Sequence, residues 1–230
     1  MNHTENSQEI LSNALGENLL RFRKNQKFLL FDTETCNLNL VSDKNVPWEY
    51  AWLLCTQDKI LESQEYLVQW PDIPISDEAA RITGFYQKQH RIPLEGKSPE
   101  FVLNHFESLL YDESVIPVAH NGFGFDVYIH NIHRKLLGKE EDYSYMPRLL
   151  DTNLVAKALK LRVPVPKDEE SLESFQYKLY DHVQKGVKTS IRALCADYGF
   201  EYDELQAHAA LYDVGLMRQI LNKLIYEVEI

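Results

Sequence analysis

Two acids, Asp32 and Glu34, end the apolar run KFLLFDTET. Side chains two apart on a strand leave from the same face, so these carboxylates point together while Thr33 points away. Like charges converging at that distance are unfavourable unless a cation lies between them. The other arrangement leaves both exposed beyond the strand end, one of them capping a turn. A third acid, Asp126, lies in AHNGFGFDVYIH. Gly122 and Gly124 let the backbone turn sharply there, and Asp126 falls in the first helical turn, where the helix dipole favours any acid. Asn121 and Phe125 beside it offer a polar handle and a stacking face. His208 and Asp213 stand five residues apart in HAALYD. Inside one helix they diverge by about 140°. With His208 in the preceding loop and Asp213 in the early turns they can face one site; otherwise both are surface residues.

Four carboxylates without a cysteine suit hard cations such as Mg²⁺ or Mn²⁺. Two such ions about 3.5–4 Å apart activate a water on one side and stabilise a leaving oxygen on the other. A neutral histidine beside that water can take its proton.

The elements that must carry these groups follow from periodicity and punctuation. Short apolar runs predict strands over residues 27–33, 48–56, 60–70 and 114–119, and a further short strand over 148–152. The polar Gln57-Asp58-Lys59 between the second and third predicts a hairpin. Ser76 opens a short helix that Gly84 ends. Ser98-Pro99-Glu100 opens a better one, with Val102, Phe106, Leu109 and Leu110 on one face. Further helices are predicted from about Gly124 to Leu137, after Thr152 to Leu161, around Leu172–Val183 with Gly186 as a stop, over 189–198 and over 209–226. Strands first, with helices throughout, make the fold α/β with an antiparallel hairpin near its start. Residues 1–26, with Leu11, Leu15 and Leu19 at helical spacing, read as an N-terminal helical arm, packed on the domain or binding a partner.

The chain has 230 residues, with 24 Lys+Arg against 35 Asp+Glu and a net charge of −11. At 44% hydrophobic and 26% charged it is neither disordered nor fibrous, and its length suits one domain with a full core. No apolar run approaches the roughly 20 residues of a membrane span, and the polar N-terminus is no secretory signal. Cys36, Cys55 and Cys195 form neither a disulfide framework nor a zinc site, and suit a reducing cytoplasmic compartment. Net acidity argues against coating duplex DNA by charge alone. It leaves room for an enzyme whose bound cations supply the positive charge.

In order, FDTET, HNGFGFD and HAALYD resemble the three motifs of the DEDDh, or DnaQ-like, 3′→5′ exonucleases. That family includes polymerase proofreading subunits, ribonuclease T and the TREX enzymes. The resemblance runs from Lys27 to Lys223 and takes in SDEAARITGF and LLDTNLVAKAL. It implies a ribonuclease H-like fold, a mixed five-stranded sheet flanked by helices, with 27–230 as the exonuclease domain. Residues 162–186 exceed the usual link. They read as an insertion, either a lid or partner surface, or a solvated acidic loop with a packed helix. Carried over, Asp32, Glu34, Asp126 and Asp213 would be metal-binding acids for two Mg²⁺ or Mn²⁺, with Asp32 shared, and His208 the general base. Thr35 and Leu38 would contact the terminal nucleotide, with softer contacts from Thr33, Asn121 and Phe125. Asp151 would be structural. Two departures stand out. Thr35-Cys36-Asn37-Leu38 replaces the small Gly that many members carry after the motif's threonine. Ala209 and Tyr212 stand where polymerase-type members carry acids, so the third motif is closer to ribonuclease T.

The implied activity is release of nucleoside 5′-monophosphates from the 3′ end of single-stranded nucleic acid, DNA ahead of RNA. The alternatives are RNA 3′-end trimming and a non-catalytic interaction module working with replication or repair proteins. The end at Ile230 favours a free-standing nuclease over a tethered subunit, and the oligomeric state stays open.

Overall fold

The computed structural model describes residues 22–23, 25–164 and 171–229. Five strands form one mixed sheet in the order β3-β2-β1-β4-β5. They are β1 (Lys27–Thr35), β2 (Pro47–Cys55), β3 (Ile60–Leu67), β4 (Val115–Ala119) and β5 (Leu150–Asp151). The first three are antiparallel, whereas β4 runs parallel to β1, and β5 to β4. This is the expected α/β architecture, hairpin included.

Side chains alternate across β1, and each face has its own core. Leu29 and Phe31, with Tyr50 and Trp52 of β2, pack on Val102, Phe106 and Leu110 of α4 (Pro99–Leu110) and on Val127 of α5 (Asp126–Leu136). Phe28 and Leu30, with Ala51 and Leu53, pack on Leu194 of α8 (Ile191–Tyr198) and on Val214, Met217 and Leu221 of α9 (Ala210–Glu229). A smaller cluster of Cys36, Val46, Trp48, Leu67 and Phe85 lies beyond the end of β1. Among the described residues, no helix is long and apolar enough to cross a membrane.

Local chemistry sets most helix starts. Ser76, Ser98, Ser171 and Ser190 each accept a backbone N–H from their helix's first turn. The helices they open are α1 (Asp77–Ile82), α4, α7 (Leu172–Tyr180) and α8. Two short helices, α2 (Phe85–Lys88) and α3 (Ile92–Glu95), were not expected from the sequence. The third strand stops at Leu67 rather than Trp70: Val68 N–H still donates to the Trp48 carbonyl of β2, but Gln69 N–H turns to the Lys97 carbonyl, and Lys97 N–H donates to that of Leu67. Likewise α7 ends at Tyr180, well before Gly186, where the Lys157 ammonium donates to the Leu179 and Tyr180 carbonyls. The helix expected from Gly124 begins instead at Asp126, after a tight turn over Gly122–Gly124. A Cβ on Gly122 would come within 2.6 Å of the Ala119 Cβ, so the turn needs glycine there.

Of the two readings of 162–186, α7 is the packed helix: Phe175 and Leu179 join the core. Its buried Gln176 amide donates to the Leu149 carbonyl and accepts from Asp151 N–H. The acidic stretch 165–170 lies outside the described residues, as does nearly all of the N-terminal arm. Of the arm's end, Phe22 packs edge-on to Phe28, with ring centroids 5.1 Å apart.

Candidate active site

Pairing between β1 and β4 runs only from Lys27 to Leu30, whereas pairing with β2 continues to Thr35. The last residues of β1 therefore overrun its parallel neighbour. A cleft opens at the carboxyl ends of the parallel strands, where open α/β sheets bind their ligands. Alternation puts Asp32 and Glu34 on the α9 face and Thr33 on the α5 face. Helix α9 brings Asp213 to the first of these, on its first turn. Asp126 begins α5 on the other face, fully buried, and accepts a 2.9 Å hydrogen bond from the Thr33 hydroxyl. Thr33 thus points away from the two acids, as its position implies, and orients a third.

His208 sits in the loop before α9, as the five-residue spacing requires for a shared site. Its backbone is left-handed, at φ 63°, an uncommon state for a residue with a side chain. Its N–H donates to Asp213 Oδ2 at 3.1 Å, which ties the loop to the helix. Ligand atoms of Glu34, His208 and Asp213 all lie within 4.8 Å of one another.

The turn Asn121–Phe125 is held from outside. Asp151 Oδ1 accepts the Asn121 N–H at 3.0 Å and the Asn153 N–H at 2.9 Å, and Oδ2 accepts the Phe123 N–H at 3.2 Å. One buried carboxylate caps α6 (Thr152–Leu161) and pins the loop that carries Asp126, which makes it a structural acid. Asn121 itself is left-handed at φ 68°.

All ten residues singled out from the sequence line one cavity of about 890 Å³: Asp32, Thr33, Glu34, Thr35, Leu38, Asn121, Phe125, Asp126, His208 and Asp213. Their side chains do not all stand free. The Thr33 hydroxyl is given to Asp126, and that of Thr35 to the Asn37 carbonyl at 2.7 Å. Leu38 stands 84% exposed at the rim, whereas Glu34 is buried.

Burial raises Asp32 well above the ordinary carboxylate range, and the Asp126, Asp213 and Glu49 carboxylates raise it further. Glu34 is raised by burial and then by Asp32, Glu49 and Asp213. Burial takes Asp126 to about 7 against the Thr33 hydrogen bond, and lifts Asp213 against the favourable His208. Among the described residues, no Lys or Arg forms an ion pair with any of the four. Desolvated acids without a cation, converging on one space and free of cysteine, fit a hard divalent metal.

Three residues at or beside the cleft were missed. Glu49, opposite Glu34 on β2, is fully buried and ion-paired at 2.5 Å with Lys88 of α2, and its other carboxylate oxygen has no partner. Burial holds it up at about 7 even so. A lone acid inside the apolar run PWEYAWLLC was the available signal. Arg192 lines the cleft and pairs with Glu204 at 2.6 Å; nothing local marks it. His120 also lines it, its Nδ1 meeting the Thr152 hydroxyl at 2.9 Å, and burial lowers it to about 4.

No family model and no curated protein matches the sequence. Solved structures do. The zinc-bound E. coli exonuclease I–ssDNA complex superposes with a TM-score of 0.62 at 16% identity, over 84% of this chain and 39% of that one. E. coli exonuclease I with a dT13 oligonucleotide gives 0.63 at 18%, over 86% and 40%. A further exonuclease I structure gives 0.63 at 17%, over 88% and 43%. The fold is ribonuclease H-like. The chain spans about two fifths of the length of these neighbours. At such identity the likeness establishes the fold, and the chemistry rests on the cleft's own residues.

Proposed function

We propose that the protein is a metal-dependent 3′→5′ exonuclease releasing nucleoside 5′-monophosphates from the 3′ end of a single strand. The observation that carries this reading is the convergence in one cleft of His208 and four acids, none of them ion-paired with a Lys or Arg among the described residues. Asp32, Glu34, Asp126 and Asp213 would hold two divalent cations, Mg²⁺ or Mn²⁺. Such ions, when bound, stabilise negative charge on the phosphoryl group and the departing 3′ oxygen.

The chain's own residues do the rest. His208 Nδ1 or Nε2 takes the proton of the attacking water, and the hydrogen bond from its backbone N–H to Asp213 anchors the loop that carries the imidazole. Thr33 holds Asp126 in orientation. Leu38 and Phe125 flank the terminal base, and Arg192 at the rim offers a guanidinium to phosphate. DNA stands ahead of RNA as substrate because the exonuclease I neighbours include complexes with ssDNA and deoxyoligonucleotides. Residues 27–230 form the catalytic domain in this reading, 1–26 an appended arm, and 162–186 an insertion that contributes α7. Replication or repair proteins are the partners that fit; one neighbour is an exonuclease I/SSB-Ct complex.

The test uses 5′-labelled DNA and RNA oligomers of one sequence, single-stranded and duplex, with Mg²⁺, Mn²⁺ or chelator, beside Asp213→Ala. The expected result is a metal-dependent ladder shortening from the 3′ end, fastest on single-stranded DNA and absent in the variant. No ladder on any substrate, with metal bound and the fold intact, overturns the reading in favour of a non-catalytic interaction module.

A further inference from the structure

Beside the cleft, α5 and α7 expose a row of tyrosines that the core does not use. Tyr177 is 47% exposed, and Tyr128 and Tyr180 are each 39% exposed. Tyr177 and Tyr180 stand three apart on α7, hence on one side of it. Both lean on the turn that carries Asn121 and Phe125 into the cleft. A Cβ built on Gly124 would lie 3.1 Å from the Tyr180 hydroxyl. Phe123 meets the Tyr177 ring edge-on, centroids 5.1 Å apart. Tyr128, two residues beyond Asp126, continues outward and shares a small cavity of about 90 Å³ with Tyr143. Burial raises the Tyr177 hydroxyl, and Tyr128, Glu173 and Tyr180 lie near enough to raise it further. All three tyrosines thus stand on or against the turn whose Asn121 and Phe125 line the cleft.

A strand whose 3′ nucleotide occupies the cleft must leave it, and its upstream bases need a surface. Binding by phosphate neutralisation suits this chain poorly, because its net charge is −11 and acids line the site. Stacking on aromatic rings needs no positive charge and tolerates any base. Tyrosine presents a large flat face at low conformational cost, having few rotatable bonds. We propose that Tyr180, Tyr177 and Tyr128 form a stacking track for the unpaired bases upstream of the 3′-terminal nucleotide. The track selects single strands, since bases within a duplex keep their faces stacked on one another. This rests on the exonuclease reading of the cleft and adds to it a substrate of several nucleotides.

The test compares kcat/KM for a dinucleotide and for a ten-nucleotide single strand with the same 3′ end. The wild-type chain should favour the longer strand. Tyr177→Ser with Tyr180→Ser should reduce the ten-mer-to-dinucleotide ratio about 25-fold, at about fivefold per lost stack. The corresponding Phe pair, which keeps the rings, should hold the ratio within about twofold. Tyr128→Ser, outside α7, should reduce the ratio about fivefold by itself. An unchanged ratio in the Ser variants overturns the track, as does an equal loss in the Phe pair. If the wild-type chain cleaves neither oligomer, the exonuclease reading fails separately. Fluorescence anisotropy of the labelled ten-mer with Mg²⁺ then decides the track: a Kd about 25-fold weaker in the Ser pair sustains it, and an unchanged Kd overturns it.

Discussion

Replacing Asp126 by asparagine removes one ionisable group from the cleft and keeps the acceptor that the Thr33 hydroxyl uses. Burial raises this carboxyl from 3.8 to about 7, the Thr33 hydrogen bond opposing and the Asp151 charge adding to it. An acid whose folded value lies above its unfolded one holds a proton in the native state that the unfolded chain has released. Stability therefore falls as pH rises from about 4 to about 7, and the full penalty applies above that. About three units correspond to roughly 4 kcal/mol; water penetration and relaxation around a cluster of acids bring the expectation to about 2 kcal/mol. At pH 8 in chelator, Asp126→Asn should melt about 4–8 °C above the wild-type chain by calorimetry. At about pH 2.5, below both values, the two should melt together, because the wild-type carboxyl is then neutral in both states. Saturating Mg²⁺ or Mn²⁺ should reverse the order, since the wild-type chain gains linkage stabilisation from ions that the variant holds poorly. An asparagine variant no more stable at pH 8 without metal, or equally stabilised at both pH values, would refute the account of Asp126 as a desolvated acid suited to a cation.

Three further outcomes follow from the same contacts. His208→Ala should lower kcat by about 10²–10⁴-fold without changing the melting temperature much; full retention of turnover would remove His208 as the base. Asp151→Ala leaves backbone N–H groups of Asn121 and Phe123 without a partner and uncaps α6, so calorimetry should show a loss of about 3–5 kcal/mol. Glu107 offers a contrast to the cleft acids. Burial pushes it up, but hydrogen bonds from His130 and Arg134 outweigh that and hold it at about 2. Burial lowers His130, so Arg134, with Lys139 at 3.3 Å, supplies the charge. Its stabilisation is present above about pH 4.5 and lost as pH falls toward 2, up to about 3 kcal/mol. Glu107→Gln should lower the melting temperature at pH 7 and by far less at pH 2.

Period-two alternation was enough to set Asp32 and Glu34 on one side of β1 and Thr33 on the other, because a strand's pleat is a local property. Serine caps, the hairpin turn and the apolar stripe of α4 were legible for the same reason: each depends on residues within a turn or two. The spacing of His208 and Asp213 admitted a shared site on one condition, a loop residue facing a helix residue, and the left-handed backbone at His208 meets it. Sheet order and register are another matter, since they join residues far apart in the chain. That β1 overruns β4 after Leu30 and so opens a cleft follows from the length of β4 and its register, which no local pattern encodes. The same holds for Glu49, whose acid stood visible in PWEYAWLLC but whose place opposite Glu34 and against Lys88 needed the fold. Asp151 reaches back some thirty residues to pin the Asn121–Phe123 backbone. Helix α7 comes from a stretch that could equally have been a loose lid. It is anchored by Gln176, and only that docking sets Tyr177 and Tyr180 beside Gly124. Local sequence chose the chemical groups and their faces, and long-range packing chose which of them meet.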